Sequence, residues 1–337
     1  MDEEARRRPP TMRDIASVLG VTVTTVSKSL RNHPDVSPQM RRKVLEAADT
    51  LNYVPNTFAR GLRSNRSTFV PVLITDIANP YFSEIIDGVE SVLRTEGYDI
   101  LIFDTKEKSD LEISIISKII GIKPAGVILT PARSSALAVP ALRSAEIPYV
   151  LTNRYLARGE DNYVVADDMR AAYLAAQHLI TRRSSNVIFV NGSMGISCAA
   201  DRLDGYRKAL SDYNVPFNSG LLYGDCNNQK DGYNAAKDIF AHHKPPLSVL
   251  AYSDFVASGV LRFALEAGLE IPGEVAVMGI DNIDLYSFAH PSLSTVTLAK
   301  HEIGAAAANL LLRLIGGDKL SEEQIVLGPE LVVRESA

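Results

Sequence analysis

The chain has 337 residues, of which 46% are hydrophobic and 22% charged, ordinary proportions for a globular protein of two or three domains. They exclude a disordered chain, a collagen-like repeat and a disulfide scaffold. Net charge −5 conceals an asymmetry: residues 1–66 hold 12 Lys and Arg against 7 Asp and Glu, leaving 23 against 33 for the rest. A basic head on an acidic body keeps attraction to phosphates local. The two cysteines, Cys198 and Cys226, form no CxxC pair and fit a reducing compartment. The apolar run Ala305–Ile315 is broken by Asn309 and Arg313, and no apolar segment follows Arg6–Pro10. The sequence therefore predicts neither a membrane partner nor a secretory signal, and a cytoplasmic protein is expected.

Three helices are predicted within residues 11–52. Thr11 can cap the first, with Asp14 completing the box, Ile15, Ala16 and Leu19 facing inward and Gly20 turning the chain. Thr22 can cap the second, which turns Val26 and Leu30 inward and Thr24, Thr25, Lys28 and Arg31 outward. Ser37-Pro38 starts the third, where Val44, Leu45, Ala48 and Leu51 have helical spacing. The basic stretch Pro55–Arg66 reads as a linker long enough for a short helix, marginal by itself and weakened by Gly61. From residue 68 apolar runs predict buried parallel strands: Phe69–Thr75, Ile100–Phe103, Gly126–Thr130, Pro148–Thr152, Val187–Asn191, Val249–Tyr252, Val275–Ile280 and a final Gln324–Val333. Helical stretches such as Tyr81–Thr95, Met169–Thr181, Arg202–Ser211 and Gly232–His242 alternate with them. That alternation means a doubly wound α/β body, too large for one comfortable core and so two-lobed.

The segment Thr11–Leu30 meets the physical needs of a helix-turn-helix. Small Ala16 permits close approach, Gly20 makes the turn, Val26 packs the second helix, and short polar side chains face outward. On spacing alone an αα-hairpin in a structural bundle is the competing reading.

Several ordered motifs carry a specific resemblance. Thr11-Met-x-Asp-Ile-Ala, Gly20-Val-Thr-x-x-Thr-Val-Ser and Asn52-Tyr-Val-Pro-Asn-x-x-Ala59-Arg-x-Leu62 are followed by Asp76–Phe82, Ala125–Thr130, His178–Ile180, Arg202–Tyr206, Gly279–Asn282 and Pro291–Val296. Residues 11 to about 335 thereby resemble the LacI/GalR family of bacterial repressors. The resemblance implies a helix-turn-helix head (1–54), a hinge helix (55–67) and a periplasmic-binding-protein-like effector-binding and dimerisation domain (68–337). Its two doubly wound parallel sheets would form lobe 1, about 68–166 and 297–324, and lobe 2, about 167–296 and 325–337. A homodimer reading a pseudo-palindromic DNA operator is implied, with no cofactor.

Positions matching the family's base-reading residues are Val23, Thr24, Thr25 and Lys28. A valine offers apolar contact, and a lysine suits guanine O6 and N7. Leu62 matches the family's minor-groove wedge, with Ala59 and Arg63 as its neighbours. The resemblance places a small-molecule effector, most often a sugar or sugar acid, between the lobes. Phe82 would supply an apolar wall and Arg202 and Asp281 polar contacts, with Asn153, Cys226 and Asp254 as further lining. An Arg fork and a carboxylate can bracket a polyol while an apolar face covers its C–H surface. Where relatives carry a helix-ending glycine after His178-Leu-Ile, this chain has Thr181-Arg-Arg183, so Arg183 must serve as the C-cap.

An enzyme reading finds no GxGxxG, P-loop or GxSxG, and the six histidines form no metal-ligand pattern. A protein co-regulator or a purine-type corepressor could control the same DNA-binding role in place of a sugar. The sequence does not fix whether the ligand releases or promotes DNA binding. With no heptads after the final apolar run, a dimer rather than a coiled-coil tetramer is expected.

Overall fold

The computed structural model describes residues 9–54, 67–133, 137–156, 160–183, 186–318 and 323–337. The chain divides into two compact units, Met1–Asn65 and Arg66–Ala337. In the first, α1 (Met12–Leu19), α2 (Val23–Leu30) and α3 (Pro38–Thr50) surround a small core of Ile15, Ala16, Val26, Val44, Ala47 and Ala48. Local chemistry sets each boundary. The Thr11 backbone N–H and hydroxyl both donate to Asp14, each at 2.7 Å. Gly20 takes φ +61°, the left-handed cap that a side chain would resist. Thr22 and Ser37 accept backbone N–H groups of Thr25 and Met40. Leu45 departs from expectation, being 51% exposed. The buried stripe of α3 runs through Val44, Ala47 and Ala48, and Leu45 lies off its edge.

The second unit has two parallel sheets. Lobe 1 holds β1 (Phe69–Ile74), β2 (Asp99–Asp104), β3 (Val127–Leu129), β4 (Tyr149–Thr152), β5 (Tyr163–Ala166) and β11 (Gln324–Leu327), in the order β11-β5-β4-β3-β1-β2. Lobe 2 holds β6 (Val187–Val190), β7 (Leu222–Tyr223), β8 (Leu247–Ala251) and β9 (Val275–Met278), in the order β7-β6-β8-β9. Helices α4 (Tyr81–Thr95), α5 (Ser109–Ile122), α6 (Ala138–Ser144) and α11 (Lys300–Ile315) belong to lobe 1. Lobe 2 has α7 (Asp168–Arg182), α8 (Ser197–Asp212), α9 (Gln229–His242) and α10 (Asp254–Glu266). Among the described residues no helix is long and apolar enough to cross a membrane.

Two expectations need correction. The final apolar run is two strands, because Pro329 lacks an N–H and Gly328 lets the chain turn. β11 pairs parallel with β5, whereas β12 (Glu330–Val332) pairs antiparallel with β10 (Thr295–Thr297). The last lobe crossing therefore falls after Leu327, so 325–327 belong to lobe 1. Helices α8 and α9 also begin five and three residues earlier than the periodicity predicts: α8 opens on the small residues Ser197-Cys-Ala-Ala200 with no side-chain cap, and α9 on the polar turn Gln229-Lys-Asp231 capped by Asn228. Arg183 is the C-cap of α7, its N–H donating to Leu179.

Helices α4 and α11 meet at glycines. A Cβ on Gly88 would lie 2.1 Å from the His301 carbonyl oxygen, and one on Gly304 2.1 Å from that of Ile85. Both obstacles are backbone, so neither can swing aside. Gly88→Ala should lower stability by about 1–3 kcal/mol despite alanine's better helix propensity. Denaturant unfolding of the purified variant checks this, and an unchanged or raised midpoint would contradict the packing account.

Candidate DNA-reading surface and ligand cleft

On α2 the exposed face presents Val23, 39% exposed, and Thr24, also exposed. Thr25 is half-buried, its hydroxyl 3.0 Å from that of Thr22. Lys28 is half-buried on the same helix, its Nζ 2.9 Å from Asp35 Oδ2. All four expected base-reading positions thus fall on one short helix capped by Thr22. Ala59, Leu62 and Arg63 lie outside the described residues.

The other site is a cleft of about 630 Å³ lined by both lobes. It lies where parallel strands end. Thr75 and Asp76 follow β1, Glu107 follows β2, Asn153 and Arg154 follow β4, Tyr252 follows β8 and Asp281 follows β9. Open α/β sheets place ligands at the carboxyl ends of their strands. Phe82 and Tyr81 open α4 and form an edge-to-face pair, centroids 5.3 Å apart. The Tyr81 hydroxyl donates to Asn153 Oδ1 at 2.8 Å, holding Asn153 in a left-handed turn at φ +62°.

Arg202, on the second turn of α8, is the buried centre of the cleft. Its Nε donates to Asp168 Oδ1 at 2.7 Å and its Nη1 to the Tyr252 carbonyl. Its guanidinium also lies 4.6 Å from the Tyr252 ring centroid, and its Nη2 3.6 Å from Asp281 Oδ1. Burial raises the Asp168 carboxyl to about 6 even against the pull of Arg202. Burial likewise raises Asp281 to about 7, with Arg202 and Lys300 opposing. The backbone of Asp281 takes φ +124°, a conformation side chains resist. Lys300 Nζ steadies it by donating to the carbonyls of Asp281 and Asn282, at 2.5 and 2.9 Å.

Phe82, Asn153, Arg202 and Asp281 line one cleft, as the resemblance implies. Cys226 and Asp254 do not line it. The Cys226 thiol donates to the Gly224 carbonyl at 3.4 Å and packs among Ile188, Val190 and Val256, so Asn227 and Asn228 face the cleft instead. The Asp254 carboxylate accepts from the Thr295 hydroxyl at 2.5 Å and the Ile283 N–H at 2.8 Å, supporting the Asp281 turn from behind. The sequence reading missed Tyr81, Glu107, Arg154 and Tyr252. Arg154, with its side chain 8% exposed, donates two bonds to Glu107, at 2.6 and 3.0 Å, and one to the Pro131 carbonyl. Its buried Nε has no partner among the described residues. Burial alone would raise the Glu107 carboxyl, and the Arg154 fork outweighs it, holding that group below its ordinary value. The signals were that Arg154 and Tyr252 stand at or just past the ends of predicted strands and that Tyr81 lies within the Asp76–Phe82 motif; Glu107 had none.

Comparison with known proteins bears on both sites. Residues 11–56 match the model described as bacterial regulatory proteins, lacI family, and residues 176–337 that of a periplasmic binding protein-like domain. The HTH-type transcriptional regulator MalR of Clostridium butyricum is 30% identical over 331 residues, 96% of this chain and 98% of its own. Catabolite control protein A of Priestia megaterium is 28% identical, covering 97% and 98%. The HTH-type transcriptional repressor PurR of Vibrio campbellii is 27% identical, also covering 97% and 98%. The solved transcriptional regulator CelR–cellobiose complex superposes with TM-score 0.76 at 25% identity, over 97% of this chain and all of that one.

The cleft's electrostatics set two expectations. Arg202→Ala leaves Asp168 buried without its partner and should destabilise the fold by about 3–5 kcal/mol; thermal denaturation measures it, and a loss under about 1 kcal/mol would contradict the buried-pair account. Asp281, raised by burial, contributes stability that is present below the ordinary carboxylate range and lost as pH climbs through about 7. Above that pH the ionised group is the better acceptor, so affinity for a hydroxyl-bearing ligand should rise from pH 6 to pH 8 by calorimetric titration. Asp281→Asn should abolish that rise.

Proposed function

The chain belongs to the lacI family of bacterial regulatory proteins and is a DNA-binding transcriptional regulator, and from that premise we propose that it is a repressor whose operator affinity is set by a sugar or sugar acid bound between its lobes. The observation that carries the ligand class is the cleft's pairing of an aromatic wall with a polar one. Tyr81 and Phe82 offer apolar surface suited to the C–H face of a sugar ring. Asp281 offers a carboxylate, and Arg154 a guanidinium that also lines the cleft. The CelR complex holds cellobiose, in keeping with this reading.

On the DNA side, a homodimer would present two α2 helices to the half-sites of a pseudo-palindromic operator, in the major groove. Val23 would meet an apolar base edge, Lys28 a guanine, and Leu62 the minor groove, with Ala59 and Arg63 beside it. The family's usual direction, in which ligand releases the operator, is the one proposed. The reading needs neither cofactor nor catalysis, and puts the protein in the cytoplasm with the DNA.

The decisive experiment is thermal-shift screening of the full chain against sugars, sugar acids, polyols, nucleosides and purines. A ligand at 100 times its Kd should add about 2.7 kcal/mol to stability. A sugar or sugar-acid hit that also releases DNA selected from a random library supports the proposal. A purine hit that strengthens DNA binding would overturn the ligand class and its sign together. In the same binding assay, Leu62→Ala should weaken the selected duplex strongly and a random duplex little; equal losses would refute the wedge.

A further inference from the structure

The recognition lysine of the head is not free. Lys28 Nζ donates to Asp35 Oδ2 at 2.9 Å across the turn between α2 and α3. That turn is itself fixed at several points. His33 N–H donates to the Lys28 carbonyl at 3.0 Å, and Asn32 takes a left-handed φ of +56°. Val36 is buried, and Arg41 Nη2 donates to the His33 carbonyl at 3.0 Å. The Asp35 N–H lies 3.3 Å from His33 Nδ1, which accepts it. Asp35 is thus an exposed carboxylate on a fixed turn, its Oδ2 within reach of both Lys28 Nζ at 2.9 Å and His33 Nδ1 at 3.4 Å. Its hydrogen bond from Lys28 holds it below the ordinary carboxylate range.

A lysine has a flexible stem and a strongly hydrated point charge, and an unrestrained one finds phosphates as readily as bases. Phosphate contacts add affinity without sequence information. A carboxylate 2.9 Å from the ammonium offsets part of the generic attraction and favours one direction of the donor. It also supplies an acceptor, which suits cytosine N4 as the ammonium suits guanine O6 and N7.

We propose that Asp35 is a specificity-determining residue that holds Lys28 to base reading and off the phosphate backbone, the pair together being suited to a G·C base pair. The inference rests on Lys28 being a base-reading residue, and the test separates the two. A duplex is selected from a random library with the full-length protein. Binding of wild type, Asp35→Asn, Lys28→Met and the double variant is then measured on that duplex, on its single-base-pair variants and on a random-sequence duplex across a salt series. Asp35→Asn should tighten the random duplex, steepen its logarithmic salt slope by about 0.9 as one phosphate contact is gained, and cut discrimination at one G·C pair by about tenfold. The loss of discrimination should vanish in the Lys28→Met background. If Asp35→Asn changes every duplex by one common factor while Lys28→Met still loses discrimination at one pair, the Asp35 proposal fails and the Lys28 assignment stands. If Lys28→Met keeps the selected preference at every position, the assignment of Lys28 fails and takes the Asp35 proposal with it.

Discussion

The buried guanidinium of Arg202 is the interaction on which the effector body depends. It joins Asp168 at the first lobe crossing, the Tyr252 carbonyl at the end of β8 and the neighbourhood of Asp281 beyond β9. A cation in that position costs several kcal/mol in desolvation, which only close hydrogen-bonded partners offset. The same partners tie the start of α7, which follows β5 of the other sheet, to the ends of the neighbouring strands β8 and β9. Arg202 is therefore a structural centre before it meets any ligand, and the ligand surface is assembled around it.

Around that centre the divisions of labour are legible. Lobe 1 contributes Phe82, Asn153 and Arg154, and lobe 2 contributes Arg202, Tyr252, Asn227 and, just past β9, Asp281. A ligand touching both sets can shift the lobe arrangement only by its difference in affinity for two arrangements. Side chains fixed before binding make that difference sharper, because little ordering remains to oppose it. Lys300 serves this end without lining the cleft. Reaching from α11 to the carbonyls of Asp281 and Asn282, and lying 2.9 Å from Glu84 on α4, it ties the strained turn after β9 to the helix that carries Phe82.

How much of this could be read beforehand depended on the range of the forces involved. In the head each helix start comes from a side chain acting on backbone within three residues, as with Thr11 and Asp14, and the first helix ends at Gly20, so the helices were legible. Leu45 was misjudged because a single apolar residue beside a narrow stripe carries no sign of which side it takes. In the body, Phe82, Asn153, Arg202 and Asp281 were found through the order of motifs. Cys226 failed by one position: its thiol entered the core, and the next residue, Asn227, faced the cleft. Arg154 and Glu107, forty-seven residues apart, meet only through the sheet order, which no local pattern announces.

Both recognition surfaces solve one electrostatic problem. A bare cation attracts any anion, and so recognises little. At Arg202 the neighbour is Asp168, at Arg154 it is Glu107, and at Lys28 it is Asp35. Each carboxylate removes the long-range field and leaves directional donors whose worth depends on geometry. On the proposed reading the acidic body then selects a ligand by shape and hydrogen bonding, while the net positive charge of the head supplies attraction to DNA. On that reading, charge in this chain acts at two ranges: the net positive charge of the head brings DNA close, and cations paired at the reading positions discriminate.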